Sequence, residues 1–197
     1  MQENVKGVAI SLEGKNAIVT GGGGGMGRCT ALMLAAAGAN LVVSDVNAET
    51  AEATAREAIE KYGVKAVATK CNVTVKSEVD AMVELSVKTL GRIDILNHVA
   101  GVFGAVDFMK STEADYDKQM DINAKGTYFV DQAVLRIMIP NRAGKIVNMC
   151  SQAGKYGFHT NVAYTASKFA VAGMTQSIAQ YAAPYNINVN CVCPGVV

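Results

Sequence analysis

Short apolar, β-branched runs alternate along the chain with longer stretches in which apolar residues recur at helical spacing. The runs predict strands at residues 17–20, 41–44, 64–69, 93–96, 145–149 and 187–192. The Ala-rich stretches between them predict helices over residues 26–37, 48–62, 76–90, 113–138 and 162–181. Strands and helices of these lengths in alternation imply βαβ units, and hence a parallel sheet with helices on both faces. Near-continuous apolar strands such as IDIL and KIVNM fit a sheet buried on both sides. The predicted class is α/β, a doubly wound parallel sheet in three layers. No low-complexity linker or repeat divides the chain. We therefore expect a polar lead-in over residues 1–13 and a single domain over residues 14–197.

Composition narrows the class. Half of the 197 residues (50%) are apolar, enough for a core without disulfide or metal. Aromatics make up 6% and Trp is absent, while Ala and Gly are plentiful, which suits close helix-on-sheet packing better than a β-sandwich. The 18 basic and 17 acidic residues nearly cancel and form no block, so no nucleic-acid partner is expected. No apolar run approaches the ~20 residues that cross a bilayer, and the first residues lack the features of a signal peptide. A cytoplasmic chain with no membrane partner is expected. The five cysteines, Cys29, Cys71, Cys150, Cys191 and Cys193, are then read as reduced, buried thiols. Cys191 and Cys193 form a C-x-C, but with two histidines in the chain and no second cysteine pair nearby, no metal site is expected.

Residues 20–27 read TGGGGGMG, between the first predicted strand and helix. Glycines there let the backbone turn sharply and approach a pyrophosphate seated on the positive end of the helix. The run matches G-x-G-x-x-G at Gly22, Gly24 and Gly27, and T-G-x-x-x-G-x-G at Gly21, Gly25 and Gly27. Asp45, at the end of the second strand, is placed to accept hydrogen bonds from the adenosine ribose of NAD and to repel the 2′-phosphate of NADP. Tyr164 and Lys168 form Y-x-x-x-K on one helix face. A phenol is a poor base at neutral pH, and a neighbouring ammonium lowers its pKa, so the pair can exchange a proton with a carbinol or carbonyl oxygen. Ser151 follows the fifth strand, where its hydroxyl could bond that oxygen.

Taken with Asn72-Val73, DIN at residues 121–123, NMCSQAG, YTASK and CPG at residues 193–195, the chain resembles the short-chain dehydrogenase/reductase family from about Gly14 onward. That resemblance implies a Rossmann-type fold and an NAD-dependent oxidoreductase interconverting a secondary alcohol and a ketone. It implies catalytic roles for Tyr164 (general acid/base), Lys168 (lowering the Tyr164 pKa and holding the nicotinamide ribose), Ser151 (polarising the substrate oxygen) and Asn123 (holding a relay water). The implied cofactor site comprises Gly21, Gly25, Met26, Gly27, Asp45, Asn72, Val73, Ala100, Gly101, Tyr164, Lys168, Pro194 and Gly195. Asn72 would meet the adenine amine where the family usually has Asp. The family's N-N-A-G reads His98-Val99-Ala100-Gly101 here, and His98 is expected to be a satisfied histidine beside the cofactor rather than a catalyst. In the family a substrate loop, a helix and a last strand follow the P-G, so the chain is expected to be truncated before them. The alternatives are a 3-oxoacyl carrier-protein reductase-like enzyme, or a dinucleotide-binding domain without turnover.

The substrate class is less defined. Residues 102–110 and 152–160 hold Phe103, Phe108, Met109, Tyr156, Phe158 and His159, which suggests a moderately apolar pocket with no Arg clamp. Small and apolar residues on more than one face of the helices at 113–138 and 162–181, among them Ala124, Ala133, Ala170, Ala172 and Met174, predict a homodimer or homotetramer.

Overall fold

The predicted apolar runs pair as six parallel strands: β1 (Asn16–Thr20), β2 (Asn40–Asp45), β3 (Ala66–Lys70), β4 (Ile95–His98), β5 (Gly144–Met149) and β6 (Ile187–Val192). The computed structural model describes residues 10–195, so most of the lead-in and the last two residues lie outside the described part. The strand order is β3-β2-β1-β4-β5-β6. Direction of travel across the sheet reverses between β1 and β4, which opens a crevice at the carboxyl ends of the strands, where ligands of such sheets bind.

Two unlike helical layers cover the sheet. On one face α1 (Gly25–Ala36) and α2 (Ala48–Tyr62) bring Ala31, Ala35, Ala51, Ala55 and Ala58 against Ala17, Val19, Leu41 and Val43. Side chains this short let helix and sheet lie close. On the other face α3 (Lys76–Leu90), α5 (Gly126–Asn141) and α6 (Val162–Ala182) pack Val79, Met82, Val130, Val134 and Met138 on Ile18, Val42, Leu96 and Ile146. The three-layer doubly wound architecture is thus the observed one. Among the described residues no helix is long and apolar enough to cross a membrane.

Three expectations need correction. The helix predicted over residues 113–138 is broken into α4 (Glu113–Gln119), a π-helical turn (Met120–Lys125) and α5. Thr112 starts α4 by accepting from Asp115 N while the Asp115 carboxylate accepts in return from Thr112 N, a reciprocal cap. The strand expected at 93–96 begins two residues late. Asp94 is diverted to accept from Asn16 N at 3.0 Å, and Asn16 Nδ2 donates to Leu90 O and Arg92 O, which knots the chain before β4 pairs. Finally, the thiols are not uniformly buried: Cys29 is exposed, and Cys191 and Cys193 are half-buried.

Candidate active site

The glycine loop runs from β1 into α1. Gly21 (φ +65°) and Gly25 (φ +48°) adopt left-handed backbone that side chains disfavour. A Cβ on Gly27 would lie 1.9 Å from Gly21 O, and one on Gly21 would lie 2.8 Å from Ala100 N. By contrast, Gly24 is extended and meets nothing within 4 Å. Backbone or packing therefore favours glycine at Gly21, Gly25 and Gly27, and also at Gly22 and Gly23, where a Cβ would lie 2.6 Å from Val43 Cγ1 and 2.2 Å from Thr50 Oγ1; nothing around Gly24 demands a glycine. The helix starts without a side-chain cap, and its first-turn N–H groups lack intrahelical partners, which suits an anion. Open space above Gly24 and Gly25 leaves room for one. These residues fit a dinucleotide pyrophosphate.

Beside the loop, Asp45 accepts from Gly23 N at 2.9 Å and from Asn47 N at 3.0 Å. It lines a cavity of about 250 Å³ with Gly21, Asn72, Val73, Ala100 and Gly101. Asn72 Oδ1 already accepts from Thr74 N at 3.1 Å and Thr74 Oγ1 at 2.9 Å, which leaves its amide N–H groups as the part free to meet a ligand.

A polar row crosses the sheet one step below the crevice. Thr69, Ser44, Thr20, His98, Asn148 and Cys191 are successive register partners on one face. Thr20 Oγ1 accepts from Val99 N and Ala100 N and lies 2.7 Å from His98 Nδ1. With both lone pairs taken, its own proton goes to Nδ1, so His98 carries its proton on Nε2. Burial pushes the His98 pKa down to about 3, with the Lys168 charge acting the same way, and the ring is neutral. At 1% exposure it stands behind the crevice wall. The expectation of a satisfied histidine holds at Nδ1 and fails at Nε2, which has no partner among the described residues. Next along the row, Asn148 Nδ2 donates to Asp131 Oδ2 at 2.7 Å and to Thr175 Oγ1 at 3.2 Å. Burial raises the Asp131 pKa to about 7, against the lowering effect of that amide.

A smaller cleft, of about 170 Å³, gathers Met26, Gly101, Ser151, Tyr164, Lys168, Pro194 and Gly195. Lys168, only 4% exposed, donates from Nζ to Met149 O at 2.8 Å, and that nitrogen lies 5.6 Å from the Tyr164 ring centroid. Burial pulls the Lys168 pKa down to about 8. The Tyr164 ring meets Phe103 edge-on at 5.0 Å. Ser151 caps a single turn at Gln152–Gly154 by accepting from Ala153 N at 3.1 Å, and Gln152 N donates to Pro194 O at 2.9 Å. Asn123 lies in the π turn at 1% exposure. Its Oδ1 accepts from Val102 N at 2.8 Å, while Nδ2 donates to Val102 O at 2.9 Å and Ser167 Oγ at 3.0 Å. The amide thus grips the backbone that follows β4. An adjoining cleft of about 430 Å³ is lined by Phe103, Ser151, Gln152, Phe158, Asn161 and Tyr164, with no Arg among its lining residues.

Sequence reasoning missed the roles of Thr20, Asp131, Asn148 and Ser167, whose partners are far away in the chain; only the strand register could have signalled Thr20 and Asn148. It also missed that Cys150 joins Cys191 and Cys193. Burial raises the Cys150 pKa to about 12.

Residues 15–197 match the model of the short chain dehydrogenase family. The 5-keto-D-gluconate 5-reductase of Escherichia coli (strain K12) is 38% identical over 186 residues, 94% of this chain and 73% of that protein. The sorbitol dehydrogenase of Cereibacter sphaeroides is 40% identical over 189 residues, 95% of this chain and 72% of that protein. A crystal structure of NAD+-bound xylitol dehydrogenase superposes with a TM-score of 0.90 at 38% identity, covering 93% of this chain and 70% of that one. Motif, topology and extent of match agree, and the chain belongs to the short-chain dehydrogenase family.

Proposed function

We propose that the protein is an NAD-dependent oxidoreductase interconverting a secondary alcohol and a ketone, of the polyol or hydroxyketone type. The observation that carries this reading is one cleft shared by Ser151, Tyr164 and Lys168, with a second pocket lined by Asp45 at the far end of the same crevice. The glycine loop and α1 would hold the pyrophosphate, and Asp45 the adenosine ribose. A bound nicotinamide dinucleotide supplies the hydride acceptor or donor. Tyr164 Oη gives or takes the proton of the substrate oxygen. The Lys168 ammonium favours the phenolate form of that group. Ser151 orients the oxygen with its hydroxyl, and Asn123 keeps the Val102 backbone in place at the cleft wall.

Preference for NAD rests on Asp45, and on Arg28 being tied up in an ion pair with Glu57 rather than free to grip a 2′-phosphate. The same carboxylate argues against a 3-oxoacyl carrier-protein reductase, which usually takes NADPH. A binding domain without turnover would have no use for a buried lysine one helical turn from a tyrosine. The sorbitol, xylitol and keto-gluconate names of the relatives support a polyhydroxylated substrate. Exposed Tyr128 and Tyr181 beside an apolar groove between α5 and α6 support a homodimer or homotetramer, and the cytoplasm remains the proposed setting. The test is nicotinamide absorbance with the full chain, each cofactor, and a panel of polyols and ketoses. Turnover with NAD and a polyol is expected; equal kcat/KM for the two cofactors defeats the cofactor reading.

A further inference from the structure

Three thiols meet where the last two strands end. β5 runs out into Cys150, and Cys191 and Cys193 are two residues apart on β6 and its extension, so they share a face. Cys191 is the register partner of Asn148, and Cys150 N donates to Val192 O at 2.9 Å, which continues the ladder past the end of β5. The three sulfurs lie within 4.8 Å of one another. A point common to all three is therefore at most about 2.8 Å from each, against a zinc–thiolate bond of about 2.3 Å. Small side-chain rotations close that gap. The surroundings hold the cluster in place: Cys150 Sγ donates to Lys168 O at 3.3 Å, and a Cβ on Gly154 would lie 2.4 Å from that sulfur.

We propose that Cys150, Cys191 and Cys193 form a three-thiolate site for a thiophilic d10 cation of the zinc class, at the wall of the Ser151–Lys168 cleft, which Cys150 also lines. Three protein ligands leave a fourth position of a tetrahedral ion for water. On binding, each S–H bond gives its proton to solvent and each sulfur forms a bond to the metal, three protons per ion, with no change of oxidation state. Three converging donors suit an ion better than a disulfide, which would use two and strand the third. The ion would tie together the ends of β5 and β6, the strands that lead into Ser151 and Pro194.

The experiment is a titration of the reduced, chelator-treated full chain with cadmium(II), read by ultraviolet thiolate-to-metal absorption, with zinc(II) as competitor. The expected result is saturation at one ion per chain. Cys191→Ser and Cys193→Ser should each weaken binding by more than the about 100-fold that loss of an outer-shell partner can cost, while Cys29→Ser leaves it unchanged. Cadmium should also slow alkylation of three thiols in the unsubstituted chain and spare the rate at Cys29, a readout that needs no variant at the site. Absence of a saturable band, or an unchanged titration in Cys191→Ser, overturns the proposal. So does loss of two thiols to oxidised glutathione, with the mass falling by two hydrogens and no metal retained, which would make the cluster a redox pair.

Discussion

The two ends of the crevice are built by opposite means. At the glycine end the working feature is missing volume: Gly21, Gly25 and Gly27 let backbone approach backbone, and Ala31 and Ala51 hold the helices near the sheet. At the Tyr164 end it is side-chain bonding: Lys168 to Met149 O, Asn123 to both polar atoms of Val102, and Asn148 to Asp131. The glycine loop of the first region should be more sensitive to changes of size than of chemistry. The second should tolerate changes of size but not of chemistry.

The largest effect should come from a change of chemistry at nearly constant size. Tyr164→Phe is expected to lower kcat by about 10²–10⁴-fold, roughly 3–5 kcal/mol of barrier. NADH affinity by fluorescence should stay within about twofold, since the glycine loop is untouched. A variant keeping more than a tenth of the activity would remove Tyr164 from the acid/base role. The converse test adds one methyl group. Gly27→Ala drives a Cβ to 1.9 Å from Gly21 O, and relieving such a contact costs about 1–3 kcal/mol. Cofactor binding should weaken by about 5–150-fold with kcat at saturation largely kept. Gly24→Ala meets no protein atom within 4 Å, so it should weaken cofactor binding less than Gly27→Ala does.

Asp45→Ala tests whether chemistry also matters at the glycine end. A hydrogen bond to a charged group contributes about 1.5–3 kcal/mol, so kcat/KM with NAD should fall about tenfold or more while that with NADP holds or rises. Unchanged cofactor preference would assign Asp45 to the loop alone, through Gly23 N.

The smallest effect concerns the polar row. His98 is pushed below its ordinary 6.5 to about 3, so its contribution is present above pH 6.5 and is lost as pH falls towards 3. Asp131 is raised from 3.8 to about 7, so its contribution is full below pH 3.8 and is lost as pH rises through 7. Between about pH 4 and 6.5 the two oppose each other, at about 1 kcal/mol per pH unit for one proton. Asp131→Asn should therefore make the urea midpoint fall on acidification across that window. His98→Gln should make it fall as pH rises. Identical pH profiles for both variants would mean that neither group titrates with folding.

Local features were readable in advance, and relational ones were not. Strand runs, the glycine loop, and the i, i+4 pair Tyr164 and Lys168 are written in neighbouring residues, so periodicity and spacing located them. Ser151 was legible from its place after a strand. The knot of Asn16, Asp94 and Leu90 that delays β4 joins parts of the chain more than seventy residues apart. The same distance hid the pairing of Thr20 with His98. Cys150 differs again: as a lone thiol it carried no signal until the fold brought its sulfur within 4.8 Å of those of Cys191 and Cys193.

The π turn at Met120–Lys125 has a consequence for how this chain can vary in length. Such a turn carries one residue more than an α-helix needs, absorbed as a local bulge that leaves α4 and α5 in phase. Deleting any one residue there would regularise the helix and gain ordinary i to i+4 bonds. It would also re-aim the side chains within the turn, since successive residues of an α-helix stand about 100° apart. α5 is locked by Val130, Val134 and Met138 in the core, so the change falls on the turn itself. Asn123 would leave Val102, and the segment after β4 would lose its tether. The spare residue is a spacing element whose count, rather than its sequence, must be kept through insertion and deletion.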